Sequence, residues 1–181
     1  MEVTDPSLLN KYQNKNYLPI IKFPASNSEE DITTRDAILS EITDLIRTNF
    51  NVNQELFNGI YYLIAELTDN ISQHSEVEKG WITSQFFPQK EFIDLCIADT
   101  GMGIYNSYMR QGYHFITSHQ QALENALNGL SAKGENERGR GIITSQNMIR
   151  QGLKGTFLMF SGDAMVINND IVNIPIEWKG V

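Results

Sequence analysis

Apolar residues along the first part of the chain recur with the period of a helix. Ile32, Leu39, Ile42, Leu45, Ile46 and Phe50 fall at helical spacing, which predicts a helix to about Asn49. Asn27-Ser28-Glu29-Glu30 offers its start, with acids in the first turn where the helix dipole favours them. A second helix is predicted after Asn53, on Leu56, Phe57, Ile60, Leu63, Ile64, Leu67 and Ile71, ending near His74–Ser75 and before Gly80. At Trp81 the character changes. Trp81–Phe87 reads as a strand broken by Pro88, and Glu91–Ala98 as its partner across a hairpin turn at Gln89 and Lys90. Upstream, residues 1–28 are polar and irregular, with Pro6, Pro19 and Pro24. They read as an N-terminal extension to a domain spanning 29–181, with Tyr17–Phe23 as a candidate short strand.

Asp99–Ile104 follows as a glycine-punctuated loop, then a long, mostly polar stretch with a helical middle at Gln120–Leu130. Residues 131–141, SAKGENERGRG, are glycine-rich and charged, which predicts a mobile loop. A helix from Ile142 to Arg150 ends at Gly152. Thr156–Phe160 and Met165–Ile167 read as strands turning at Gly162-Asp163, and Asn168-Asn169-Asp170 turns into a last strand, Ile171–Ile176. Helices first and strands interleaved afterwards predict an α+β sandwich, with helices covering one face of a mixed sheet.

Composition narrows the function classes. A chain of 181 residues predicts one domain. The net charge of -8 argues against a protein that neutralises nucleic-acid phosphates directly. Cys96 is the single cysteine, so neither an intramolecular disulfide nor a multi-thiolate metal site can form. No apolar run approaches the roughly 18–20 residues of a membrane span. Met1 to Asn10 lacks the basic start and apolar core of a signal peptide, so a cytoplasmic location is expected.

Three motifs carry candidate chemistry. In AELTDNISQHS, Glu66, Asn70 and His74 are spaced by four, so a helix places them on nearly one face. A carboxylate and a carboxamide one turn apart suit a Mg²⁺-nucleotide site: asparagine offers a neutral oxygen to a hard cation, and glutamate can polarise an attacking hydroxyl or water. The plainer reading is a solvated polar face. Asp99-Thr100-Gly101-Met102-Gly103-Ile104 follows a hydrophobic strand. An acid there can accept a hydrogen bond from an exocyclic amine such as that of adenine, and glycines let the backbone approach a ligand; the plainer reading is a strand-ending turn. Gly139-Arg140-Gly141-Ile142 ends the glycine-rich loop at a helix start, where backbone N–H groups can face an anion; the plainer reading is a flexible loop with solvated arginines. Neither a dinucleotide-binding fingerprint nor a P-loop is present.

ExxxN on a helix, DxGxG after a strand, GxG at a helix start and Gly155-Thr156 on a late strand, in that order, resemble the GHKL ATPase superfamily of gyrase, heat-shock chaperone, histidine kinase and MutL. Within it, ELTDNISQHS is similar to the ExxxNAxxH pattern of the anti-sigma-factor serine kinases. The resemblance spans roughly residues 30–168. It implies a two-layer α/β sandwich of GHKL type with ATP held between helices and sheet. It also implies Glu66 as general base, Asn70 as the Mg²⁺ ligand and Asp99 as the reader of the adenine amine. Gly101 and Gly103 would line the base pocket, Gly139, Arg140 and Gly141 would close on the phosphates within a lid at 131–141, and Thr156 would share a water with Asp99. His74 matches the pattern but sits two turns from Glu66, which favours a structural role; His114 and His119 match nothing. Ile71 stands where the family has alanine, and the segment 105–138 is longer than in a minimal anti-sigma kinase.

The resemblance implies a small ATP-dependent serine/threonine kinase with a regulatory protein partner, such as a STAS-like protein or a sigma factor, and it is compatible with a dimer. Two alternatives stand beside it: a module that senses ATP and docks without turnover, and the ATP-binding core of a histidine kinase without its phosphoacceptor. No histidine precedes His74, so self-phosphorylation on an upstream helix is excluded within this chain, and Gln73 stands where histidine kinases often carry a basic residue. The retained Glu66 favours turnover over binding alone.

Overall fold

A computed structural model describes residues 2, 6–12, 15–49, 53–74, 76–130 and 141–173. The chain divides into two compact units, Met1–Gly101 and Met102–Val181.

In the first unit a 3-10 turn at Pro6–Tyr12 precedes strand β1, Tyr17–Pro24, and two long helices, α1 at Glu29–Asn49 and α2 at Gln54–His74. Strands β2 (Lys79–Phe87) and β3 (Phe92–Ala98) complete it. The start of α1 lies where the sequence places it. Ser28 Oγ accepts from the backbone N–H of Asp31 at 3.2 Å, and three acids occupy the first turn. Ile38, Leu39, Ile42, Leu45 and Ile46 are buried along α1, and Ile60, Leu63, Ile64 and Ile71 along α2. Each such side chain contributes about 1.5–3 kcal/mol relative to an exposed one. Ile32, counted in the predicted apolar stripe, is instead exposed.

The strands form an antiparallel sheet in the order β1-β2-β3. Its buried face carries Leu18, Ile21 and Phe23 from β1 with Ile82, Ser84 and Phe86 from β2. Phe23, Ile82, Arg35, Ile38, Leu39 and Thr68 line one crevice, so α1 and α2 cover this face. Ile93, Leu95 and Ile97 of β3 pair with Phe86, Ser84 and Ile82 and share that side, half-buried, while their neighbours Phe92, Asp94, Cys96 and Ala98 are exposed. Part of the expected N-terminal extension therefore belongs to this unit: β1 is a sheet strand, and Leu9 of the 3-10 turn is buried.

The second unit starts with α3, Gly103–Arg110, and α4, His119–Leu127. Helix α5, Gly141–Asn147, runs on as a π-helical turn, Met148–Gly152, ending where a helix stop is predicted. Strands β4 (Leu158–Ser161), β5 (Ala164–Ile167) and β6 (Asp170–Asn173) form an antiparallel meander. Tyr108, Ile116, Ala122 and Ala126 form its helical core. The Tyr108 hydroxyl donates to the Leu130 carbonyl at 2.6 Å, and burial pushes that hydroxyl well above the ordinary tyrosine range. Helix α4 packs on β5 and β6, and α3 on β4.

Two expectations are corrected. The single mixed sheet is replaced, among the described strands, by two antiparallel three-stranded sheets. Each unit's strands are joined by tight turns or return antiparallel to a neighbour; one isolated bridge, Glu2 to Lys22, is parallel. The loop expected at Asp99–Ile104 stops at Met102, because Gly103 already begins α3.

Candidate functional site

Of the predicted site residues, Glu66, Asn70, Asp99 and Gly101 stand in the first unit, and Gly103, Gly141 and Thr156 in the second. Gly139 and Arg140, and with them all but Gly141 of the predicted lid 131–141, lie outside the described residues.

Helix α2 decides where Glu66 and Asn70 stand. At about 100° per residue, its core face is centred on Ile60, Ile64 and Ile71, all buried, and its solvent face on Tyr62, Asp69 and Gln73, all exposed. Glu66 and Asn70 lie one turn apart, Asn70 on the border between the two faces and Glu66 nearer the solvent face, and both are half-buried. This is the environment in which a polar side chain keeps solvent or ligand access while its helix stays anchored. Thr68, on the buried side, bonds its hydroxyl back to the carbonyls of Ile64 and Ala65, at 3.0 Å and 2.9 Å. His74 is the last residue of α2.

Asp99 follows β3 directly and is exposed. Its Oδ1 accepts the backbone N–H of Gly101 at 2.7 Å. This local turn fixes the carboxylate on the loop and leaves Oδ2 as a second acceptor. An acceptor held at a strand end suits the exocyclic amine of a purine.

The remaining described residues of the predicted site lie in the second unit. Gly103 has φ +72 and opens α3, a conformation that favours glycine. Met102, at the helix cap, makes no side-chain capping bond. Ser161 does so instead: its buried Oγ accepts the Ile104 N–H at 2.9 Å. Gly141 is the first residue of α5. Thr156 is exposed and lies just ahead of β4, on the approach to the strand and not within it.

No group of three or more His, Cys, Asp or Glu side chains gathers to hold a bare metal among the described residues. Mg²⁺ is commonly held by one or two protein ligands with substrate phosphates and water filling the rest, and a single half-buried Asn70 fits that pattern.

Sequence reasoning missed Ser161 and the role of His119. The His119 ring packs against Tyr105, with centroids 4.9 Å apart and an interplanar angle of 56°. Its Nδ1 is buried with no hydrogen-bond partner among the described residues. A Cβ added at Gly162 would lie 2.3 Å from that atom, so the β4–β5 turn rests directly on the ring. Ser161 and Ile104 are 57 positions apart, and no spacing rule connects them.

Compared with known proteins, the chain matches no family model, no curated protein and no solved structure. No helix among the described residues is long and apolar enough to cross a membrane.

Proposed function

We propose that this chain is a Mg²⁺-ATP-binding domain of GHKL type acting as a small regulatory serine/threonine kinase of the anti-sigma-factor kind. The observation that supports the reading is the placement of Glu66, Asn70 and Asp99 within the first unit. Glu66 and Asn70 stand one turn apart on α2, both half-buried, and the DxGxG acid is pinned by its own loop just after β3.

In this reading Asp99 accepts the adenine amine, Gly101 and Gly103 admit the base to the backbone, and Gly139, Arg140 and Gly141 contact the phosphates. Thr156 completes the adenine contacts. The Asn70 carboxamide oxygen binds the metal, which supplies charge neutralisation for the triphosphate. Glu66 accepts the proton of the attacking hydroxyl, which belongs to a serine or threonine of a regulatory protein partner in the cytoplasm.

Isothermal titration with ATP and Mg²⁺ tests the binding half of the proposal, and label transfer from γ-labelled ATP to candidate partners tests the kinase half. The expected result is Mg²⁺-dependent saturation selective for adenine over guanine nucleotides. A folded protein that gives no heat at millimolar ATP would overturn the reading. Binding without transfer to water or protein would replace the kinase with a nucleotide-gated docking module.

A further inference from the structure

We propose that Ser161 is a positioning residue for the nucleotide site, holding the second half of the glycine loop in its binding conformation; this rests on the ATP-binding reading above. The first half of the loop carries its own clamp, the Asp99 carboxylate on the Gly101 N–H at 2.7 Å. In the second half Asn106 Nδ2 donates to the Met102 carbonyl at 2.8 Å, but Met102 offers no capping side chain to the N–H groups that open α3. The backbone there is nonetheless demanding: Gly103 has φ +72 and is followed at once by helix.

Ser161, at the end of β4, provides the missing clamp. Its side chain is 8% exposed, and its Oγ takes the Ile104 N–H at 2.9 Å. A Cβ on Gly103 would stand 3.1 Å from the same oxygen. The positive φ favours glycine at 103, a Cβ there would crowd the hydroxyl, and the hydroxyl fixes the N–H that follows. Two contacts keep Ser161 in place. The adjoining Gly162 turn seats on the His119 ring, and that ring packs on Tyr105, the residue after Ile104. Bond and stack thus join the first turn of α3 to the β4–β5 turn on two sides. A glycine loop whose backbone approaches a base loses affinity when it can move, because ordering it then opposes binding.

The test uses the full chain carrying S161A, S161C and S161T. S161A removes the acceptor, S161C retains the shape with only a weak sulfur acceptor, and S161T restores the hydroxyl. S161A and S161C are expected to weaken ATP and ADP equally, by about tenfold each, because the loop serves the base and not the γ-phosphate. In phosphoryl transfer KM for ATP rises by a similar factor while kcat holds, and S161T returns both toward the parent. A residue that only stabilised the fold would lower the melting temperature but leave Kd and KM of the folded protein unchanged. Parent-like Kd and KM in folded S161A or S161C overturn the assignment while leaving the ATP reading intact. Should S161A fail to fold, S161C and S161T decide by the same comparison. A parent that binds no ATP overturns the reading first, and the assignment with it.

Discussion

Replacing Gly162 with alanine would expose how tightly the second unit is braced. The position has φ +63, in the left-handed region that L-residues adopt at a cost of about 1–2 kcal/mol. The new methyl would also meet His119 at 2.3 Å from Nδ1, 2.4 Å from Cε1 and 2.6 Å from Cγ. The ring cannot simply swing away: it packs on Tyr105, and its residue opens α4 directly after Ser118, whose Oγ caps the helix by accepting the Gln121 N–H at 3.1 Å. Overpacking of this kind costs about 1–3 kcal/mol. Gly162→Ala should therefore destabilise the protein by about 2–5 kcal/mol in all. Urea unfolding of the single variants and of the Gly162→Ala/His119→Ala pair separates the two components. With the ring removed, only the backbone cost of about 1–2 kcal/mol should remain. An equal loss in both backgrounds, or no loss at all, would refute the contact with His119 as the source.

The other expectations concern the site and the core. Glu66→Gln should keep ATP affinity and lose about 10²–10⁴-fold in phosphoryl transfer, measured by γ-label release and transfer; equal turnover in parent and variant would remove Glu66 as the base. Asp99→Asn should cost about 1–3 kcal/mol in ATP binding by titration. Its carboxamide oxygen can still accept from Gly101, so the loop should hold and parent-like affinity would exclude Asp99 as the adenine reader. Ser84 is 2% exposed and its hydroxyl has no hydrogen-bond partner among the described residues. Ser84→Ala should raise stability by about 1 kcal/mol in urea unfolding, and a clear loss would reveal a hidden partner. Tyr108→Phe should cost about 1 kcal/mol at neutral pH through the lost bond to Leu130. Because burial raises the folded-state value, the parent keeps this contribution below the unfolded tyrosine pKa of about 10 and loses it as pH rises further. The variant's unfolding profile should accordingly decline less in alkali.

Local information was enough for the elements whose signals lie within a few residues. Helices α1 and α2, their ends, the Phe87–Phe92 hairpin and the Gly162-Asp163 turn all follow from period, capping and turn chemistry, and each stands where it is predicted. Helix α3 was legible in principle, since Ile104 with Tyr108 and Tyr105 with Met109 repeat at four residues. Gly103 at its head reads as loop, however, and only the pairing with Ser161 shows why a helix can start there. For the candidate site, the sequence supplied residue types and spacing: the Glu66–Asn70 step and the Asp99–Gly101 clamp are local in the chain. Tertiary structure decided what is not local. It divided the described strands into two antiparallel sheets in place of one mixed sheet, left Glu66 and Asn70 half-buried on a helix whose other face is buried, and drew Ser161 to Ile104 and Gly162 onto His119. Periodicity records which side of an element is apolar, but it carries no information on which distant element will cover that side, and these contacts depend on that choice.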